Sequence, residues 1–342
     1  MTTIRYPWET PPENGEMIEI AEGVHWLRLP LPMKLDHVNI YVLDDGDGWT
    51  LIDTGMKSRR VQAMWQAVLD GPLRGKPVKR VVATHHHPDH IGFHGWFVEE
   101  FGAEYVSTQV AYLMGRMLTM DIQERYTEGQ IEFYRRAGMR AELLAARQDE
   151  RPFNFSDIVH PIPIGFTRIE EGDVIEMGGR SWDVRVDHGH APDHATFWSR
   201  DDNLVLCGDQ VIASISSNIG VYPTEPDANP LADWLDSCAR LQNFARADHL
   251  ALPGHKLPFV GMPLRLRQLE ENHHGALTRL RADLKTPKTG GEVMMAVFKR
   301  QIGDGEYGLG LVEALAHCNY LWHAGEVTRS LHQDGAYRWV MN

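Results

Sequence analysis

Apolar positions along the chain fall into short bursts whose period switches between strand-like and helix-like. Residues 17–29, 39–43 and 50–52 are rich in β-branched and apolar side chains. Asp-Gly pairs (Asp45-Gly46, Asp47-Gly48) separate the last two, which predicts strands joined by tight turns. Val61, Met64, Trp65 and Val68 are spaced as on one helix face and predict a helix over 59–69. A strand over 78–83, a helix over 95–101 and a strand over 104–107 follow. This alternation predicts an α/β layered architecture.

Residues 109–148 break the alternation. They are rich in Met, Arg and Glu, show no strand period, and predict two or three helices. An insertion there, about 109–150, is either a cap over a site or an outer helical layer. Met114, Met117, Met120, Tyr126 and Tyr134 are candidates for an apolar lid or for plain helix packing. Short strands resume over 167–212, with turns at Gly178-Gly179 and Asp201-Asp202. Pro230 opens a helix over 230–244 carrying Leu231, Trp234, Leu235 and Cys238 at helical spacing. A strand over 249–252 and a helix over 263–284 come next. The polar run from Lys285 to Gly291 suggests a boundary, with one domain over 1–285 and a smaller one over 286–342. In the smaller one, helices over 292–300 and 310–324 precede strands over 326–331 and 336–340, a winged-helix-like order. His273-His274 read as part of a solvated helix face.

Chemistry concentrates at strand ends. The apolar strand over 78–83 runs into Thr84-His85-His86-His87-Pro88-Asp89-His90. Neutral imidazole and carboxylate suit Zn, Fe or Mn. A loop can splay alternate side chains, so His85 and His87 can face one ion while Asp89 and His90 face a second, about 3.5–4 Å away. His86, between them, points elsewhere. Two ions need further donors, and three later strands end in a tight turn and a ligand-type residue: His190, Asp209 and His255. A carboxylate such as Asp209 can bridge two cations. Donors at strand ends collect on one rim, where a rigid scaffold holds loops in place.

This His-x-His-x-Asp-His segment, followed in order by an isolated His, Asp and His, resembles the signature of the metallo-β-lactamase-fold superfamily. The resemblance covers about residues 17–285. It implies an αβ/βα sandwich, two mixed β-sheets flanked by helices. It also implies that His85, His87 and His190 hold a first metal, that Asp89, His90 and His255 hold a second, and that Asp209 bridges. Ile52-Asp53-Thr54-Gly55 resembles the family's early structural motif. The tail resembles the winged-helix extension of one bacterial hydrolase subgroup. Where lactamase relatives carry Gly-Gly after the first motif, this chain has Gly92-Phe93-His94.

Two divalent cations, zinc before Fe or Mn, would share a water and make hydroxide available at neutral pH. Asp89 would orient that nucleophile or pass its proton on. Asp53 and Asp187 are candidate acceptors for the outer imidazole nitrogens, and His194 is expected behind the ligands. Ser217, Asn218 and Tyr222 follow Asp209 closely and are candidates to reach substrate; His94 and His188 are candidate lining residues. The function expected is hydrolysis of a small acyl derivative: a thioester, ester or lactone. A phosphodiesterase or ribonuclease of the same fold, or a non-hydrolytic diiron redox or binding protein, are the alternatives.

Charge and composition bear on the choice. The formal net charge of −13 argues against nucleic acid or an anionic membrane as the main partner. The tail holds five Lys/Arg against six Asp/Glu, a poor footprint for a phosphate backbone. It is expected to pack on the core or to form a subunit contact in a homo-oligomer. Cys207, Cys238 and Cys318 are widely spaced and odd in number, which disfavours a disulfide framework. No signal-peptide pattern or membrane-length apolar run is seen, so a cytoplasmic protein is expected. There is no GxSxG and no phosphate-loop motif.

Overall fold

The computed structural model describes residues 3–342. The chain begins with strands β1 (Met17–Ala21), β2 (Val24–Pro30), β3 (His37–Asp44) and β4 (Trp49–Ile52). Helix α1 (Arg59–Asp70), β5 (Val78–Val82), helices α2 (Pro88–Ile91) and α3 (His94–Phe101), and β6 (Glu104–Ser107) follow. Between β6 and the next strand lie α4 (Gln109–Met120), α5 (Glu128–Arg136), α6 (Ala141–Asp149) and α7 (Phe155–Ile158). Next come β7 (Thr167–Arg168), β8 (Val174–Met177), β9 (Arg180–Asp187), β10 (His194–Ser199) and β11 (Leu204–Gly208). Helix α8 (Pro230–Gln242), β12 (Leu250–Pro253), β13 (Phe259–Val260) and α9 (Met262–Asp283) complete the large unit. The tail holds α10 (Met294–Phe298), α11 (Asp304–His323) and the hairpin β14 (Val327–Leu331) and β15 (Tyr337–Met341).

Strands β1 to β7 form one sheet in sequence order, antiparallel up to β4 and parallel beyond it. The second sheet has the order β13-β12-β11-β10-β9-β8, with a single parallel pair, β11 with β12. Period-two alternation sends side chains of each strand to two cores. From β3, Tyr41 and Leu43 enter the core between the sheets, while Val38, Ile40 and Val42 face the outer helices. From β11, Leu204 and Leu206 turn inward, and Val205 and Cys207 meet α8, α9 and α11. Helices therefore cover the outside of each sheet, and the fold is the αβ/βα sandwich of two mixed sheets.

Three expectations change. The strand expected over 17–29 is two strands, because Gly23 turns the chain at φ 68°. Helix α11 starts at Asp304, six residues before the expected 310. Gly305, Gly308 and Gly310 hid its first turns, since glycine weakens a helical pattern. His273 is 1% exposed, not on a solvated face, because α11 packs over it. The three cysteines are free and buried. Among the described residues no helix is long and apolar enough to cross a membrane.

Phe197, on β10, is fully buried between the sheets. Phe197→Ala is expected to lower unfolding free energy by about 3–5 kcal/mol, read from urea denaturation. A loss below about 1 kcal/mol would show that the inter-sheet core does not carry the fold.

Candidate metal centre

The ends of β4, β5, β9, β11 and β12 share one rim of the sandwich, and the chemistry-bearing residues follow them directly. Backbone bonds clamp this rim: Ala195 N donates to Thr84 O at 2.7 Å, Gly254 N to Gly208 O at 2.7 Å, and Asn39 N to Gly254 O at 2.7 Å. A Cβ on Gly254 would lie 2.4 Å from Asp209 Oδ1 and 2.7 Å from His90 Cε1, so only glycine lets the β12 loop approach so closely.

Three overlapping donor groups gather there: His85, His87 and His190; His85, His90 and Asp209; Asp89, His90 and His255. His87 Nδ1 lies 3.0 Å from both His85 Nε2 and His190 Nε2. Asp209 spans the groups, with Oδ1 3.4 Å from His90 Nε2 and Oδ2 3.5 Å from His190 Nε2 and 3.2 Å from His255 Nε2. Asp89 Oδ2 stands 3.3 Å from His255 Nε2 and 3.7 Å from His90 Nε2.

The outer nitrogens decide what faces inward. His190 Nδ1 donates to Asn218 O at 2.8 Å and His255 Nδ1 to His37 O at 2.7 Å; a carbonyl can only accept. His90 Nδ1 donates to Asp53 Oδ2 at 2.7 Å. Thr84 gives its hydroxyl proton to Asp53 Oδ2 at 2.8 Å and so accepts from His85 Nδ1 at 3.0 Å. Each of these four rings therefore presents to the cage either a bare lone pair or a second proton that makes it cationic. His90 Nε2 and Asp209 Oδ1 are buried without a hydrogen-bond partner. Burial works against charge on His255, but Asp209 and Asp89 outweigh it and lift its pKa to about 10. Burial is likewise overridden at His90 by Asp209, Asp89 and Asp53, which hold its pKa well above the usual range. Burial and neighbouring imidazoles hold His85 and His87 well below theirs. His85 and His87 offer lone pairs, and the carboxylates hold on His90 and His255 the positive charge that a cation would replace, a donor set that fits cations of the Zn, Fe or Mn kind.

The structure brings His85, His87, Asp89, His90, His190, Asp209 and His255 together. Asp53 lies behind His90, and His194 lies behind Asp209, whose backbone N–H donates to His194 Nε2 at 2.9 Å. His86 turns away from the cage toward α7, stacking with Phe155 at 6.4 Å between ring centroids. Other candidates do not reach the cage. Asp187 is engaged by Arg240 at 2.5 Å and by Thr196, so it supports no ligand imidazole. His94 is buried against Thr54 Oγ1 at 2.8 Å, and His188 is bound to Pro192 O. Ser217 is buried, and its hydroxyl donates to Asp209 O. The Asn218 amide donates to Leu309 O and Glu313 Oε2. The Ser217 hydroxyl and the Asn218 amide nitrogen are thus taken by protein, whereas Asn218 Oδ1 has no hydrogen-bond partner and Tyr222 is 41% exposed. The acceptors His37 O and Asn218 O escaped sequence reasoning, because backbone carbonyls carry no residue signal; Thr84 stood in plain view beside His85.

The model of the Metallo-beta-lactamase superfamily matches residues 33–255, and that of the Metallo-beta-lactamase-like C-terminal domain matches residues 277–342. The chain is 26% identical over 307 residues to "Probable metallo-hydrolase YqjP" of Bacillus subtilis (strain 168), covering 88% of this chain and 92% of that protein. A beta-lactamase domain protein from Burkholderia ambifaria has a crystal structure that superposes with TM-score 0.89 at 33% identity, over 99% of this chain and 97% of the other. A metallo-beta-lactamase family protein from Thermus thermophilus gives TM-score 0.79 at 28% identity, over 95% of this chain and all of the other (100%).

Proposed function

The chain belongs to the metallo-beta-lactamase superfamily and is a metal-dependent hydrolase, and from that premise we propose that it cleaves small acyl derivatives: thioesters, esters or lactones. One observation carries the metal part of this reading, namely that four imidazoles have their outer nitrogens committed as donors around an unpartnered buried carboxylate oxygen. His85, His87 and His190 would hold one divalent cation, Asp89, His90 and His255 a second, and Asp209 would join them. Zinc suits this set best, with Fe or Mn as alternatives. When bound, such a pair supplies a water ionised near neutral pH and polarises the substrate oxygen.

The chain's own residues do the rest. Asp89 is the more open of the two cage carboxylates, with 19% of its side chain exposed against 8% for Asp209. It is therefore the cage carboxylate placed to orient the nucleophile, or to take up its proton and pass it to a leaving group. Tyr222 would contact substrate from the loop after β11. The acyl preference is supported by the insertion, which meets the cage loop directly. A Cβ on Gly115 would lie 3.9 Å from His86 Cβ, and Leu113, Met117 and Met120 of the same insertion are exposed. Residues 286–342 would be a winged-helix-like unit of a bacterial hydrolase subgroup, appended to a catalytic domain over 1–285. Its near-neutral charge gives a nucleic-acid substrate no support.

Metal analysis combined with a screen of thioesters, lactones and phosphodiesters tests this. About two cations per chain are expected, with acyl hydrolysis lost on chelation and restored by zinc. Turnover of phosphodiesters alone would overturn the acyl reading, and an iron-type absorbance with no hydrolysis would favour the redox alternative. Equal activity in Asp89→Ala would remove Asp89 from the chemistry.

A further inference from the structure

Helix α11, in the tail, reaches the cage through one residue. Asn218 O accepts from His190 Nδ1 at 2.8 Å, while Asn218 Nδ2 donates to Glu313 Oε2 at 2.7 Å and to Leu309 O at 3.2 Å. Leu309 and Glu313 sit one turn apart on α11, so a single helix face grips the Asn218 amide from two sides. Next to it, Val221 N donates to Val312 O at 3.1 Å.

A second route runs from the same loop to the same helix. The Glu313 carbonyl can only accept, so His317 Nδ1 carries the proton in their 2.8 Å bond. His317 Nε2 then accepts from His273 Nδ1 at 3.3 Å, and His273 Nε2 accepts from the Ser216 hydroxyl at 3.2 Å. This route ends at the main-chain carbonyl of Glu313, whereas the first ends at its carboxylate. Between the two routes lies Ser217, whose hydroxyl donates to Asp209 O. The loop that carries the outer contact of His190 is thus tied at Ser216 and at Asn218 to one helical turn.

We propose that Glu313 is a positioning residue of the metal centre: acting through Asn218, it fixes where the His190 imidazole stands and which of its nitrogens faces the cation. The role rests on the reading of His190 as a ligand. Partners that hold the outer nitrogen of a ligand imidazole set its tautomer and aim, and losing one weakens metal binding about 10–100-fold. Burial pushes the Glu313 carboxyl up to about 7, a cost offset in part by the Asn218 amide. An acid kept in such a place and bonded to the amide of the residue that holds His190 is poorly explained by packing alone.

The test uses the full chain and zinc or cobalt(II) as the probe. Stepwise zinc affinities come from competition with a chromophoric chelator, and the visible spectrum of the cobalt-loaded protein reports ligand geometry. Glu313→Leu is expected to weaken one zinc step about 10–100-fold and to shift the cobalt bands. Asn218→Ala keeps the carbonyl but cuts the tie to α11, and should do the same. Glu313→Gln retains an acceptor oxygen and should restore near wild-type affinity and spectrum, a rescue that a purely structural role would not require. Glu313→Leu and Asn218→Ala with both zinc steps and the spectrum unchanged would overturn the proposal. His190→Ala separates this from the premise. If it also keeps both zinc steps, the ligand reading of His190 falls and the positioning role falls with it; if it loses one while the other variants are silent, the positioning role alone fails.

Discussion

Replacing Asp209 with alanine is expected to remove at least one cation and to lower hydrolysis by about a thousandfold. The size follows from where the side chain stands. One oxygen faces His90 and the other faces both His190 and His255, so this one carboxylate reaches rings from both proposed sites. Without it, Asp89 is the single carboxylate left among the cage imidazoles, and it lies on the side of His90 and His255. The charge that holds two divalent ions close together is then halved. Asp209→Asn keeps one acceptor oxygen and should fall between the two. Thermal shift gives an independent readout. A ligand at about 1,000 times its Kd stabilises a fold by about 4 kcal/mol, so zinc should raise the melting temperature of the wild type and of Asp209→Ala by clearly different amounts. Full metal content with an unchanged rate in Asp209→Ala would remove the shared centre from the account.

What could be read in the sequence was what is local. His85, His87, Asp89 and His90 follow one apolar strand, and His190, Asp209 and His255 each end another, so strand-end placement and donor chemistry coincide within a few residues of text. The strands were legible as short apolar runs bounded by turns, while the two mixed sheets followed from the resemblance that the metal-ligand signature carries. Long-range cover was not legible. His273 sits in the polar run Glu270-Glu271-Asn272-His273-His274, and nothing there reveals that His317 will pack against it at 3.3 Å from 44 residues away. Asp187 follows the strand that leads to His190 and looks like an imidazole acceptor, but Arg240 claims it from α8. Asn218 has the composition of a substrate-contacting loop residue. Its carbonyl is what matters to His190, and a carbonyl is common to every residue.

Asp53 shows how far the cage depends on a residue outside it. It is a non-glycine residue at φ 62°, in the left-handed region that aspartate and asparagine tolerate better than most. It is 2% exposed, and its carboxylate accepts from Thr84 N at 2.9 Å, Thr84 Oγ1 at 2.8 Å and His90 Nδ1 at 2.7 Å. Through Thr84 it also sets the contact on His85, so one carboxylate orients rings that face both proposed cations. Asp53→Ala would leave three donors buried without an acceptor in a backbone conformation alanine resists. A loss of about 3–5 kcal/mol in unfolding free energy is expected in the metal-free protein. Zinc affinity should fall a further 10–100-fold or so, as for other groups that hold a ligand imidazole. Asp53→Gly removes the same acceptor but relieves the backbone, and should recover about 1 kcal/mol of the stability and none of the affinity. Asp53→Asn keeps one oxygen for Thr84 but turns an amide donor toward His90 or the Thr84 hydroxyl, so stability should recover more than zinc binding does. Urea denaturation with and without zinc reads both quantities on each variant. If all three lost stability and affinity in constant proportion, Asp53 would be a purely structural residue; if the two effects part as described, the carboxylate is what keeps Nε2 of His90 and of His85 turned inward.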